Sequence, residues 1–106
     1  MTYPLQFYDE TIQVEPIRSH YMDNDTLALM LYTTDGEPFA TLTVNIDESD
    51  ALRSKYLAFV DTNNHPWAPK FLAESKLGKP VGTYGFSGFC AYPLYRFNVR
   101  GVKSLD

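Results

Sequence analysis

Apolar and polar residues alternate along several stretches of the chain, as they do in half-buried β-strands. The first stretch, residues 11–15, ends at Pro16, whose missing N–H limits it to an edge strand or a bulge. Residues 27–32 and 39–46 each carry an apolar stripe, and the Asp35–Gly36 pair lies between them. Glycine tolerates the positive φ that tight hairpin turns require. The first half therefore predicts a short strand followed by an antiparallel hairpin, with the stripe of 39–46 on one sheet face.

The second half begins with a continuous apolar run, residues 56–60, which is typical of a strand in the middle of a sheet. An asparagine and a histidine then precede Pro66, and apolar residues follow at helical spacing. Gly78 is suited to the left-handed conformation that ends many helices. We predict one main helix over about residues 65–77.

Glycines recur between aromatic residues over 82–88, a pattern that favours a twisted or bulged loop over a helix. Residues 94–100 alternate again and predict a half-exposed final strand. At 106 residues, without repeats or a linker, the chain fits one domain. We predict an α+β fold over residues 1–106, a mainly antiparallel sheet of about five strands with the helix packed on it. Residues 1–10 and 103–106 are expected to fray.

Composition places this domain among folded, soluble proteins, with 44% hydrophobic and 15% aromatic residues. The N-terminal residues lack the pattern of a signal peptide, and no run approaches the roughly 20 apolar residues that span a bilayer. Cys90 is the single cysteine, so no intrachain disulfide can form. A cytoplasmic protein without membrane contact is expected, and its oligomeric state is left open.

Charge is distributed unevenly, because ten of the 13 acidic residues lie in the first 50 positions and eight of the nine basic residues lie after Asp50. The two halves carry formal charges of −9 and +5. Either the acidic residues form a face that meets a cationic partner, or the fold neutralises them internally. The net charge of −4 argues against direct nucleic-acid binding. The candidates for an acidic face are Asp23, Asp25, Asp35, Glu37, Asp47, Glu48 and Asp50.

A catalytic site could be built from Cys90 as nucleophile, His65 as base and Asp61 as the group that orients it. Cys90, however, lies between Phe89 and Ala91, where a small side chain is ordinarily packed and inert. No His or Cys pair has the spacing of a metal site, and no phosphate-binding loop is present. The sequence therefore predicts no catalytic residues, no metal and no cofactor.

Residues 61–64 follow a buried strand and precede the predicted helix, where side chains and free backbone N–H groups converge. Asx turns and helix capping explain the same residues without a ligand. An aromatic cleft between residues 61–67 and 85–95 is the alternative to a protein-contact function, since it would suit a small molecule or a small enzyme. Its binding candidates are Asp61, Asn63, Asn64, Trp67, Tyr92 and Tyr95.

Three blocks, residues 36–45, 59–67 and 87–97, together resemble a family of small uncharacterised bacterial proteins, a domain of unknown function associated with conjugative elements and prophages. The resemblance covers roughly residues 22–98. It implies an accessory protein of a mobile element. We expect a non-enzymatic protein that acts by contact with a protein partner, and whose acidic face inhibits a nucleic-acid-binding protein of host restriction or CRISPR defence.

Overall fold

Nine strands and one helix make up the part of the chain that the computed structural model describes, residues 1–46 and 54–105. The predicted acidic-face residues Asp47, Glu48 and Asp50 lie outside these described residues. In chain order the elements are β1 (Tyr3–Phe7), β2 (Glu10–His20), β3 (Leu27–Thr33), β4 (Pro38–Thr41), β5 (Thr43–Val44), β6 (Leu57–Val60), α1 (Ala68–Ser75), β7 (Gly78–Ser87), β8 (Cys90–Phe97) and β9 (Lys103–Ser104).

The first sheet has the order β1-β2-β3-β4, all antiparallel, and β9 runs parallel to β2. β1 pairs with β2 as far as Val14, and the pairing of β9 with β2 begins at Ile17. Pro16 lies in the gap between these two neighbours, which suits a residue that has no N–H to donate. The expected fraying of both ends is wrong for residues 3–7 and 103–104, because they form strands and Leu5 is fully buried.

The predicted hairpin at Asp35–Gly36 is present, with Gly36 at φ +85° and the Thr33 N–H donating to the Glu37 carbonyl oxygen. The returning strand differs from the prediction, because it leaves the first sheet at Leu42 and enters the second as β5. Leu42 and Thr43 are both buried at this crossing between the sheets. The apolar stripe is thus divided between two sheets.

The second sheet has the order β5-β6-β8-β7 and is antiparallel throughout. β6 lies in its interior, as the apolar run predicts. β8 carries Pro93 in its own interior, but the ladder with β6 ends one residue away, at the Phe59–Leu94 pair. Pro93 therefore has a strand neighbour on only one side.

The helix is shorter than predicted and ends earlier. Residues before Trp67 form turns, so Pro66 precedes the helix and Pro69 occupies its first turn. Lys76 takes the left-handed conformation that was assigned to Gly78, with φ +62°. This early reversal places Leu77 in the core and lets Gly78 begin β7.

The main core draws side chains from both sheets and from α1, and a smaller cluster occupies the other face of the second sheet. The fold is α+β with mainly antiparallel sheets and one short helix, as predicted. The expected single sheet of about five strands is replaced by two sheets. β1 and β9 extend the first sheet, and the glycine-rich segment 82–88 is almost wholly strand.

Candidate protein-binding surface

β7 and β8 form the longest hairpin of the second sheet. Ser87 pairs with Cys90, which leaves Gly88 and Phe89 as a two-residue loop. Gly88 has φ +61°, and Phe89 does not have a positive φ. A glycine with positive φ at the first loop position is the pattern of a type II′ turn, whose twist matches that of the flanking strands. The loop sequence therefore favours a regular hairpin up to its tip.

One face of this hairpin begins in the core and ends in solvent. Phe97 and Tyr95 are buried at its base, and side chains alternate along β8, so this face continues toward the tip. On β7 the same face carries Tyr84, opposite Pro93, and Phe86, opposite Ala91. The exposed fractions are 57% for Tyr84 and 68% for Phe86, and Phe89 at the tip is fully exposed.

A bulge separates the buried base from the exposed part. Pro80 pairs with Tyr95 and Tyr84 pairs with Pro93, so three residues of β7 lie opposite one residue of β8. Gly82, inside this bulge, has φ +99°, and Val81 is 49% exposed. Bulges bend a strand and redirect its side chains. We call Val81, Tyr84, Phe86 and Phe89 the hairpin surface.

Two glycines of β7 pack closely against aromatic rings, Gly85 against Phe59 of β6 and Gly78 against Phe97 of β8. A Cβ atom at Gly85 would lie 2.6 Å from Cε1 of Phe59, and one at Gly78 would lie 3.2 Å from the Phe97 ring. Both glycines are buried. Their missing side chains let the β7 backbone lie directly against aromatic rings. The exposed aromatic residues are therefore mounted on an ordered strand pair.

The hairpin surface is also free of charge, because the chain has no Asp, Glu, Lys, Arg or His between Lys79 and Arg96. The glycine pattern predicts a twisted or bulged loop here, and the predicted binding residues do not include Tyr84, Phe86 or Phe89. The uncharged stretch with its aromatic residues was the signal in the sequence for an interaction surface.

The structure divides the predicted binding residues among several environments. Asp61 accepts hydrogen bonds from the N–H of Asn64 at 3.2 Å and from its Nδ2 at 3.0 Å. The His65 N–H donates to the Asp61 carbonyl oxygen at 2.9 Å. These are the bonds of an Asx turn, so the carboxylate is engaged locally. Asn63 is exposed.

Tyr92 and Tyr95 lie on opposite faces of β8, because they are three positions apart. Tyr92 belongs to the smaller cluster and Tyr95 to the main core, against which Trp67 packs. The interaction with the Cys90 side chain raises the pKa of Tyr92, and burial and the charge of Asp61 act in the same direction. Burial raises the pKa of Tyr95, with a further contribution from the Tyr84 hydroxyl. The two tyrosines therefore do not line one cleft.

A polar pair lies beside Asp61 where the chain enters the second sheet. The Tyr21 hydroxyl lies 3.0 Å from Oγ1 of Thr43, whose Oγ1 accepts the Leu29 N–H at 3.1 Å. Burial raises the pKa of Tyr21, the hydrogen bond to Thr43 opposes this, and Asp61 raises it further. This arrangement satisfies a buried threonine and offers no nucleophile with an adjacent base.

No side-chain hydrogen bond joins Cys90, His65 and Asp61, the three described residues of the hypothetical catalytic site. Cys90 packs against the smaller cluster, whereas the His65 ring lies 5.1 Å from the Trp67 ring in a group of aromatic residues. Asp61 is bonded to Asn64. Among residues 1–46 and 54–105, no three His, Cys, Asp or Glu side chains are grouped as ligands for a metal ion.

The acidic candidates that the structure describes form two groups. Asp23 and Asp25 lie before β3, where Asp23 accepts a hydrogen bond from Nδ2 of Asn45 at 3.0 Å. Asp35 and Glu37 lie after β3, in the turn to β4. A strand of this length separates the groups by roughly 20 Å. The four carboxylates are exposed, and the two groups lie at opposite ends of β3.

Fold and surface together define a small two-sheet α+β domain that carries an ordered hairpin with exposed, uncharged aromatic residues. A family described as a domain of unknown function, DUF4313, matches residues 17–106, and the chain belongs to that family. No curated protein and no solved structure matches the chain. Within the described ranges, no helix has the length and apolar character needed to cross a bilayer.

Proposed function

We propose that this protein is a non-enzymatic binding module that acts by contact with another protein through its hairpin surface. The observation that carries the proposal is the exposure of Tyr84, Phe86 and Phe89 at 57%, 68% and 110% on an ordered strand pair. Aromatic side chains of this kind bury roughly 150–250 Å² each when covered. Contiguous exposed apolar residues mark interaction sites more often than scattered ones do.

The chemistry of the hairpin favours a protein partner with an apolar, uncharged contact surface. Interface cores are enriched in tyrosine and phenylalanine and depleted of charged residues, as residues 80–95 are. A nucleic-acid backbone requires cations, and the hairpin surface has none. Because Gly85 packs against the Phe59 ring, the aromatic residues are held before a partner arrives. Such preorganisation reduces the entropy that is lost on binding.

The biological setting in the proposal is an accessory protein of a conjugative element or prophage that blocks a host defence protein. In this view the acidic residues Asp23 and Asp25 accelerate encounter with a cationic partner, and the hairpin surface supplies the affinity. The separate contributions of the aspartates and of the hairpin surface can be measured. Neutralising the two aspartates should lower the association rate and its salt dependence, whereas changes in the hairpin should raise the dissociation rate.

The direct test uses a photo-crosslinking phenylalanine derivative at Phe86, expressed in the native bacterial host. Tyr8 provides the matched control, since it is 85% exposed and lies on the turn between β1 and β2. We expect one defined adduct from position 86 that is missing from position 8. A second change, Phe89→Ser, should abolish this adduct and change the unfolding free energy by less than about 0.5 kcal/mol, because the side chain is exposed.

Equal labelling from positions 8 and 86 would refute a specific surface. An adduct between two copies of this chain would replace the heterologous partner with self-association. Retention of the adduct in Phe89→Ser would remove the hairpin tip from the interface.

A further inference from the structure

Three cationic side chains from separate parts of the chain line one surface cleft of about 370 Å³. Arg18 comes from β2, Lys55 precedes β6, and Arg100 follows β8. Tyr56 and Asn98 contribute to the same walls. We call this site the basic cleft. It lies at the Phe97 end of β8, whereas the hairpin surface runs alongside β8 to the tip beyond Cys90.

The fold positions Arg18 from both its side chain and its backbone. Nε of Arg18 donates to the Val102 carbonyl oxygen at 3.3 Å, and the Leu105 N–H donates to the Arg18 carbonyl oxygen at 2.9 Å. Arg18 is half-buried as a result of this packing. Its guanidinium retains further N–H groups that can bind an anion in a fixed orientation.

Arg100 is positioned by a tight turn. The Val102 N–H donates to the Val99 carbonyl oxygen at 3.0 Å, and Gly101 has φ +77°. The Arg100 N–H donates to Oδ1 of Asn98 at 3.2 Å, which orients the side-chain amide. The amide nitrogen of Asn98 is then a neutral donor beside the cations.

Within residues 1–46 and 54–105, Arg18, Lys55 and Arg100 form no ion pair, and no acidic side chain of those residues lines the basic cleft. Asp25 lines an adjoining cleft together with Arg18 and Lys55, and its carboxylate lies 3.3 Å from Nε2 of His20. Three like charges in one concave site attract an anion, since low-dielectric walls concentrate their field.

We propose that the basic cleft binds a phosphate group carried by a small soluble molecule. Arginine matches phosphate oxygens with paired N–H donors, and lysine adds a point charge. The Tyr56 side chain, 40% exposed at the cleft wall, can pack against the organic part of such a ligand. A polymer is disfavoured, because the net charge of −4 repels phosphates that extend beyond the cleft.

The experiment is a ¹⁵N-NMR titration at constant ionic strength with inorganic phosphate, ribose 5-phosphate and ribose. We expect ribose 5-phosphate to shift amide signals of residues 18, 55–56 and 98–101, and ribose to shift none. Lys55→Gln and Arg100→Gln should each weaken binding about fivefold to tenfold, as the loss of one charge-assisted contact predicts. Lys79→Gln, an equal charge change at an exposed residue outside the basic cleft, should not.

If Lys79→Gln weakened binding equally, or if the amide shifts were spread over the whole surface, the result would reflect general charge screening. The proposed site would then be wrong. Tighter binding of inorganic phosphate than of ribose 5-phosphate would overturn the organic ligand. If a single-stranded oligonucleotide or phosphoinositide vesicles bound more tightly than ribose 5-phosphate, the ligand would not be a small soluble molecule. The photo-adduct from Phe86 is independent of all these variants, so each proposal can fail alone.

Discussion

Replacing Gly85 by alanine tests whether close packing against Phe59 fixes the hairpin. Its Cβ would lie 2.6 Å from Cε1 and 2.8 Å from Cζ of Phe59, and the phenylalanine is only 4% exposed. In a strand without such contacts, alanine would stabilise the fold by about 0.5–1 kcal/mol relative to glycine. Overpacking in a full core costs about 1–3 kcal/mol. The clash should exceed the gain and leave a net loss of about 1–2 kcal/mol.

Thermal and urea unfolding measure this loss. For a chain of 106 residues the unfolding entropy is about 0.2 kcal/mol/K, so a loss of 1.5 kcal/mol lowers Tm by about 7 °C. A double-mutant cycle with Phe59→Leu identifies the cause. If the alanine methyl contacts the ring, the two changes together should cost about 1 kcal/mol less than their sum.

A rise in Tm for Gly85→Ala would refute the packing argument, because it would show that the strand preference of alanine outweighs any clash. Strict additivity with Phe59→Leu would show that the damage arises elsewhere. A confirmed clash would also predict weaker partner binding, since β7 must move away from Phe59 and carries Tyr84 and Phe86 with it.

Three further substitutions test local features of the fold. Thr43→Val should destabilise the protein by about 1–3 kcal/mol in urea unfolding, because it leaves the buried Leu29 N–H without its acceptor. The folded-state pKa of Tyr21 lies above its ordinary value of 10.0, so the fold favours the neutral hydroxyl. Stability should therefore fall as pH rises from about 10 through the folded pKa, and Tyr21→Phe should reduce that slope between pH 9 and 11.5. Lys76→Gly, at φ +62°, should raise the unfolding free energy by about 0.5–1 kcal/mol, whereas the same change at Lys70 inside α1 should lower it by about 1 kcal/mol. The opposite order for the two glycine variants would contradict the assignment of the cap.

The parts of the fold that sequence patterns predicted are those whose signals are local. The Asp35–Gly36 turn needs only a glycine with positive φ, and the interior strand β6 needs only a short apolar run. β1 escaped prediction because its turn uses Tyr8 at φ +54°, a residue that does not signal a hairpin. β7 was not predicted as a strand because its glycines and proline weaken the strand pattern, although its pairing with β8 makes it a strand.

The candidate sites were even harder to predict from local sequence patterns than the fold was. The basic cleft joins Arg18 to Lys55 and Arg100 across three elements, and no spacing in a sequence encodes such a meeting. The predicted aromatic cleft includes both Tyr92 and Tyr95, yet the period of a strand places them on opposite faces of β8. The exposed aromatic residues of the hairpin are not among the predicted binding residues, because exposure depends on tertiary neighbours that the sequence pattern does not give.

The basic cleft lies at the Phe97 end of β8, and Phe89, the tip of the hairpin surface, lies beyond the Cys90 end, about 23 Å away along the strand. This spacing bears on the charge asymmetry between the halves of the sequence. Arg18 is the single basic residue of the first 50 positions, and it lines the basic cleft together with cations of the second half. The acidic and basic halves of the sequence therefore do not form two separate faces of the fold. Because no residue lines both sites, their binding free energies should add. Saturating ribose 5-phosphate should therefore leave the partner affinity of the hairpin surface unchanged within about twofold, and a larger change would require that β8 itself shifts between two positions.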